Sequence, residues 1–248
     1  MFRTYRSVVA NTLLFRTPPF KESTRRWQSV KVAIVGSGPS GCYTAKYLLS
    51  ALEKSKVHIH VLERLPTPFG LVRSGVAPDH PEVKNVQNDF TALFKDNPMI
   101  EFLGNVTVGR DVSLKELREL YDVVVLAYGC ESDRKLAIPG EETLAGVLSA
   151  REFVAWYNGH PDYVHVGQAV ADALGDTPET AEVVVIGQGN VALDCARILA
   201  KGTAGLYDTD IAAHSLPILK EGVKCTSIVG RRGHIQGAFT IKVRSTRI

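Results

Sequence analysis

An apolar run of strand length, Lys31-Val32-Ala33-Ile34-Val35, passes without a break into Gly36-Ser37-Gly38-Pro39-Ser40-Gly41, and Ala45, Leu48, Leu49 and Leu52 then recur at helical spacing. That order dictates strand, tight turn and helix. Gly36 lets the chain turn sharply, Gly38 lets backbone approach a phosphate with no Cβ in the way, and Gly41 lets the helix pack closely on the strand. Unpaired amides at the helix start and the helix macrodipole favour an anion, so the pattern predicts a dinucleotide pyrophosphate there. The next apolar stretch, Val57-His58-Ile59-His60-Val61-Leu62, ends in Glu63, 27 residues past Gly36. A carboxylate at that strand tip accepts hydrogen bonds from adenosine ribose hydroxyls. A glycine-rich turn beside an unrelated exposed Glu is the weaker alternative.

The same logic recurs at Val183-Val184-Val185-Ile186-Gly187-Gln188-Gly189-Asn190-Val191-Ala192, with Ala192 in place of the third glycine and Val191, Cys195, Ile198 and Leu199 as the expected buried stripe. Its second strand, Lys224 to Val229, ends in Gly230-Arg231-Arg232-Gly233 and not in an acid. A 2′-phosphate carries about two negative charges, which a carboxylate repels and a guanidinium clamps bidentately. The first lobe is therefore expected to take a dinucleotide with free ribose hydroxyls, such as FAD, and the second to prefer NADP over NAD. Gly202 to Lys220 lengthens the connection, so Arg231 falls 44 residues past Gly187, beyond the usual spacing. The alternative for the arginine pair is a solvated cation cluster.

Between the two turns, Arg64 to Pro81 is dense in proline and glycine, which predicts a loop, here one that covers a cofactor, with a helical pattern resuming over Glu82 to Phe94. Ile100 to Val108 reads as a strand, Ser113-Leu114-Lys115-Glu116-Leu117 as a capped helix start, and Asp122 to Gly129 as a central parallel strand covered on both faces. Ile138-Pro139-Gly140-Glu141-Glu142 has the composition of a crossing between lobes. Beyond it, Ser149 to Tyr157 reads as a short helix and Pro161 to Thr180 as a variable loop. The expected fold is α/β, with an FAD-binding lobe over residues 30–131 and an NADP-binding lobe over 132–248.

Charge separates the front of the chain from its body. Residues 1–29 hold Arg3, Arg6, Arg16, Lys21, Arg25 and Arg26 against Glu22 alone, a net +5 that leaves −2 for the rest of a chain whose total is +3. Nothing in that body suggests nucleic-acid binding. The front is Arg-rich and acid-poor, with interspersed Phe2, Val8, Val9, Leu13, Leu14 and Phe15, the composition of a disordered mitochondrial transit peptide; a plain basic tail is the alternative. No apolar run approaches the ~20 residues that a transmembrane helix needs. Cys42, Cys130, Cys195 and Cys225 form no Cys-x-x-Cys, which argues against a dithiol pair, a zinc knuckle or a cysteine-ligated cluster and predicts core packing for each. His58 and His60 share a strand face without an evident third ligand, so no metal site is expected.

Taken together, Val35-Gly36-Ser37-Gly38-Pro39-Ser40-Gly41, Pro68-Phe69-Gly70-Leu71-Val72-Arg73, Gly75-Val76-Ala77-Pro78-Asp79-His80-Pro81-Glu82-Val83-Lys84-Asn85, Gly187-Gln188-Gly189-Asn190-Val191-Ala192-Leu193-Asp194 and Val229-Gly230-Arg231-Arg232-Gly233 resemble the mitochondrial NADPH:adrenodoxin oxidoreductases, or ferredoxin reductases. The match runs in order from about Val30 to Lys242. The resemblance implies an enzyme that passes electrons from NADPH through FAD to a small [2Fe-2S] ferredoxin in the mitochondrial matrix, peripheral to the inner membrane. By position it implies that Ser40, Glu63, Leu71 and Val108 contact FAD with the glycines Gly36, Gly38 and Gly41. It likewise implies that Gln188, Gly189, Asn190, Val191, Arg231 and Arg232 hold NADPH. No catalytic residue is needed where a flavin carries the chemistry. Asp79 and His80 fall in the loop expected near the flavin ring, as acid and base or simply as turn formers.

Two departures qualify the resemblance. Val243 stands where the family has a glutamate that contacts NADP, and family members continue for roughly as long again, whereas this sequence stops at Ile248. The chain is accordingly expected to be truncated, with both lobes incomplete. A catalytically inactive nucleotide-binding remnant, or another FAD and NADPH enzyme such as a glutamate-synthase-type reductase subunit, stays open as an alternative.

Overall fold

The run that opens the first motif becomes a strand whose last four residues are buried in a computed structural model of the chain. The structure describes residues 29–52, 56–130, 133–231, 233 and 236. The expected leader up to residue 28, Arg232 and Val243 lie outside the described residues. In chain order the first elements are β1 (Val30–Val35), α1 (Pro39–Ala51), β2 (Val57–Leu62), α2 (Leu71–Ser74), α3 (Pro81–Lys84), α4 (Val86–Asp96) and β3 (Ile100–Leu103). Then follow α5 (Leu114–Leu120), β4 (Val123–Leu126), α6 (Ala150–Tyr157), α7 (Val166–Leu174), β5 (Glu182–Ile186), α8 (Asn190–Lys201), α9 (Leu216–Leu219) and β6 (Cys225–Val229).

The described residues divide into two units. The first takes the chain up to Phe69 and again from Phe90 to Gly129; the second takes Gly70–Asp89 and the chain from Cys130 onward. In the first, four parallel strands stand in the order β3-β2-β1-β4, with Val30 opposite Val57 and Val32 opposite Val123. This order is one half of a doubly wound dinucleotide fold. Ile34 and Ile59 are fully buried in it, each stabilising by roughly 1.5–3 kcal/mol.

Three expectations are corrected in this unit. Among the described residues the strand in the Asp122–Gly129 run, β4, stands at an edge of the sheet, and its Val123 and Leu126 are 45% and 48% exposed. An apolar run states a capacity for burial, not which element supplies the cover. The strand expected over 100–108 ends at Leu103, because Gly104 and Asn105 (φ +59) turn the chain, and Val108 meets Val112 in an isolated bridge. Cys130 and Cys225 are exposed; only Cys42 and Cys195 pack in a core.

The second unit is a parallel pair, β5 beside β6, joined through α8 and backed by α6 and α7. Its core gathers Phe153, Trp156, Tyr157, Val170, Ile198 and Leu206. The stretch 161–180, expected as a loop, contains α7, whose Val166, Val170 and Leu174 are buried at four-residue spacing. Gly167 disguised it, since glycine is a poor helix former. A Cβ there would lie 2.8 Å from Trp156 Nε1, so the packing itself demands glycine. The Pro- and Gly-rich segment after residue 70 makes one helical turn in α2, and the helical pattern expected over 82–94 is broken at Asn85 into α3 and α4.

Candidate functional site

Both glycine turns close as strand, turn and helix, and the glycines differ in what surrounds them. Gly36 has φ +104, and a Cβ on it would lie 2.4 Å from the Ala127 carbonyl oxygen; one on Gly41 would lie 2.0 Å from the Gly36 oxygen. Those two are required by the protein's own backbone. Gly38 has nothing within 4 Å of an added Cβ, and neither has Gly189 in the second turn. The space at these two is open for a ligand's phosphates to approach the main chain.

The helix starts point the same way. Two helices away from the glycine turns are closed by side chains, α5 by a capping box of Ser113 and Glu116 and α6 by Ser149, whereas α7 and the one-turn α2, α3 and α9 have no side-chain cap. The helices after the glycine turns, α1 and α8, begin at Gly38 and Gly189 with no side-chain cap and no acidic residue in the first turn. Their orphan amides and positive dipole ends are left to an anion.

At the tip of β2, Glu63 is held by three donors. Ser37 donates its backbone N–H and its hydroxyl to Glu63 Oε2 at 3.0 and 2.7 Å, and the Leu65 N–H reaches Oε1 at 3.2 Å. Ser37 is fully buried, and its carbonyl accepts from Phe69 N–H and from the Cys42 thiol. Burial, with the Glu63 charge behind it, pushes that thiol up to about 12. Gly36, Gly38, Gly41 and Glu63 are thus brought together in the first unit, with Ser40 exposed on the first turn of α1. Val108 packs half-buried against the cluster of Ala33, Val35, Leu62 and Leu117. Leu71 falls in the second unit and is 65% exposed.

In the second unit, Gly187 (φ +144) takes its bond from β6, its N–H donating to the Val229 carbonyl at 2.8 Å. Gln188 folds over the far side of the turn: a Cβ on Gly230 would lie 2.1 Å from its Cδ. Asn190 and Val191 are exposed on the first turn of α8, and Arg231 is exposed directly after β6. Open space at a glycine, an uncapped helix and a cation after the second strand suit a phosphorylated dinucleotide. Open space, an uncapped helix and a fixed carboxylate suit one with free ribose hydroxyls.

Asp79 and His80 lie in a charged network that sequence reasoning missed. Arg197 Nε and Nη2 donate to Asp79 Oδ2 and Oδ1 at 2.6 and 2.8 Å, and Lys201 Nζ adds a bond at 2.7 Å. Burial alone would raise the Asp79 carboxyl, but the hydrogen bonds and charges of Arg197 and Lys201 outweigh it and hold it well below the usual carboxylate range. Asp79 is therefore an ionised anchor at neutral pH and no proton donor. His80 Nδ1 lies 3.1 Å from Glu82 Oε1, and its Nε2 lies 3.9 Å from Asp194 Oδ1. Lys84, 8% exposed, donates to Asp210 and Asn158. The one trace in the sequence was Arg197 itself, a cation inside the apolar run of α8 that has to meet a buried anion.

Among the described residues no group of three or more His, Cys, Asp or Glu side chains is placed to hold a metal ion, and no helix is long and apolar enough to cross a membrane. His60 instead meets the Tyr121 hydroxyl at 2.7 Å.

Parallel βαβ units that each open on a glycine turn define an α/β protein built for two dinucleotides. Residues 30–222 match the family described as Pyridine nucleotide-disulphide oxidoreductase, and the chain belongs to that family. It is 54% identical over 212 residues to the mitochondrial NADPH:adrenodoxin oxidoreductase of Arabidopsis thaliana, covering 85% of this chain and 42% of that protein. It is 52% identical to the Homo sapiens protein of the same name, over 86% of this chain and 41% of the relative. Among solved structures it resembles Mycobacterium tuberculosis FprA in complex with NADPH, with a TM-score of 0.79 at 46% identity, over 87% of this chain and 46% of that one. The chain spans less than half the length of these relatives.

Proposed function

We infer that this chain carries the two nucleotide sites of a flavoprotein that moves electrons from NADPH through FAD to a [2Fe-2S] ferredoxin in mitochondria. One observation carries the reading. Two uncapped glycine-turn helices lie in one polypeptide, with a fixed carboxylate, Glu63, at the tip of one second strand and a guanidinium, Arg231, after the other. FAD would lie on Gly36, Gly38, Ser40 and Gly41, with its ribose on Glu63 and with Val108 as a further contact. NADPH would lie on Gln188, Gly189, Asn190 and Val191, with its 2′-phosphate on Arg231 and Arg232. The names of the relatives, and of the FprA complex, support both assignments.

When bound, a flavin supplies acceptance of two electrons from a nicotinamide and their release one at a time to a one-electron carrier. The residues of this chain bind, orient and discriminate. Glu63 repels a 2′-phosphate and Arg231 attracts one, so each coenzyme is steered to its own cradle. The FAD-binding lobe is assigned to residues 30–131 and the NADP-binding lobe to 132–248, with Gly70–Asp89 grouped with the latter as the contacts divide the chain. The mitochondrial names of the relatives and the Arg-rich leader support import, and we place the protein in the matrix, peripheral to the inner membrane. The test is to titrate the purified chain with FAD and NADPH and then assay NADPH-dependent reduction of a [2Fe-2S] ferredoxin. Binding of both coenzymes supports the reading, and turnover removes the inactive-remnant alternative. A chain that binds neither coenzyme refutes it.

A further inference from the structure

The ion network around Arg197 lies one to two helical turns behind the second cradle, Asp194 one turn and Arg197 two turns past Asn190. Arg197 is 2% exposed, and its guanidinium forks between two carboxylates: Asp79 through Nε and Nη2, and Asp194 Oδ1 through Nη2 at 2.8 Å. Asn190, Asp194, Arg197 and Lys201 recur at spacings of four, three and four and so share one face of α8. What meets Arg197 and Lys201 on that face is the segment around Asp79, whose side chain is 5% exposed. His80 follows directly, its Nε2 3.9 Å from the Asp194 oxygen that Arg197 holds.

We propose that Arg197 is a positioning residue for the bound pyridine nucleotide: by gripping Asp79 and Asp194 together it fixes the His80–Asp194 pair beside the first turns of α8, where the nicotinamide riboside has to be placed. This rests on the reading that NADP occupies the second cradle. There Arg231 takes the 2′-phosphate and the amides at the start of α8 take the pyrophosphate, which accounts for the adenosine half. The remaining half offers ribose hydroxyls and a carboxamide, and the polar groups nearest along the helix are Asn190, Asp194 and, through Asp194, His80. A planar guanidinium sets the orientation of a carboxylate as an ammonium cannot. Two carboxylates against Arg197 and Lys201 also leave the network close to neutral, so it does not repel an anionic coenzyme. Glu82 at His80 Nδ1 and Lys84, paired with Asp210, are further charged groups on that segment; from within the core Tyr157 feels both carboxylates and Cys195 feels Asp194.

The experiment is calorimetric titration of the full chain and its Arg197→Lys variant with two probes, NADP⁺ and 2′,5′-ADP, which lacks the nicotinamide riboside. Asp79→Asn, which keeps the side-chain volume, serves as the milder variant should Arg197→Lys not fold. The affinity for NADP⁺ is expected to fall ~10-fold or more while that for 2′,5′-ADP stays within about twofold. Equal losses for both probes, or no loss for either, overturn the proposal, because a merely structural network loosens the whole cradle or none of it. A wild-type chain that binds neither probe overturns the nucleotide reading itself. The proposal alone falls when wild type binds both and the variants do not separate them.

Discussion

Ser37 spends both of its donors on one oxygen of Glu63, the backbone N–H at 3.0 Å and the hydroxyl at 2.7 Å. The glycine turn and the tip of the second strand are thereby locked together before any ligand arrives. A carboxylate offers about four acceptor positions and Ser37 and Leu65 fill three of them, so one ribose hydroxyl still finds room. Glu63→Ala is expected to weaken FAD binding by roughly 10- to 100-fold, the worth of hydrogen bonds to a charged acceptor at about 1.5–3 kcal/mol. Flavin fluorescence titration measures it, and an unchanged affinity would place the ribose elsewhere.

The glycines of the first turn separate folding from binding. Gly41→Ala drives a methyl to 2.0 Å from the Gly36 oxygen, so the variant is expected to lose thermal stability. Gly38→Ala meets nothing within 4 Å and sits at φ −68, so its melting temperature should match wild type while FAD retention is lost. Paired melting curves and absorbance at the flavin band decide it, and a Gly38→Ala protein that keeps its flavin contradicts the cradle.

Coenzyme choice in the second unit should follow charge at the strand end. With Arg231→Gln, NADP⁺ affinity is expected to drop by roughly 10-fold or more, and NAD⁺ affinity to change by less than about twofold. Competition between the two in calorimetry gives the ratio. Losses of equal size for both would show that Arg231 does not touch the 2′-phosphate.

Acid should release the Asp79 clasp. Its carboxyl titrates below its unfolded value of about 3.9, so the stabilisation is fully present above that value and is lost as pH falls through the lower folded one. Arg197→Met, which leaves Asp79 with Lys201 alone, is expected to cost roughly 3–5 kcal/mol at neutral pH and less below pH ~4. Urea midpoints at pH 7 and pH 3 test this, and a deficit that does not shrink in acid assigns the loss to packing.

Thiol reactivity gives a count. Cys130 and Cys225 are exposed, whereas burial pushes Cys42 and Cys195 up to about 12. A colorimetric thiol reagent at pH 8 should titrate two groups quickly and the other two only after denaturation. Four fast thiols would mean that neither core is closed around its cysteine.

The two glycine turns were legible because their determinants are local. Strand, glycines and helix follow one another within about twenty residues, and the 3.6-residue period of α1 and α8 is plain. Glu63 and Arg231 were singled out by counting along a known pattern, and their placement at the ends of β2 and β6 follows from the strands themselves. The clasp was not, since Asp79 and Arg197 are 118 residues apart and neither belongs to a periodic motif. Helix α7 was hidden by a glycine whose reason, the indole of Trp156, is likewise distant in sequence. The exposure of Val123 and Leu126 belongs to neighbours and not to the strand, so no reading of the strand alone could give it.

The bare amides that begin α1 and α8 have a cellular corollary. A polypeptide whose helices are finished by vitamin-derived coenzymes gains stability in proportion to the logarithm of coenzyme concentration over its dissociation constant. Riboflavin or niacin starvation would then lower its abundance through proteolytic turnover before catalysis itself became limiting.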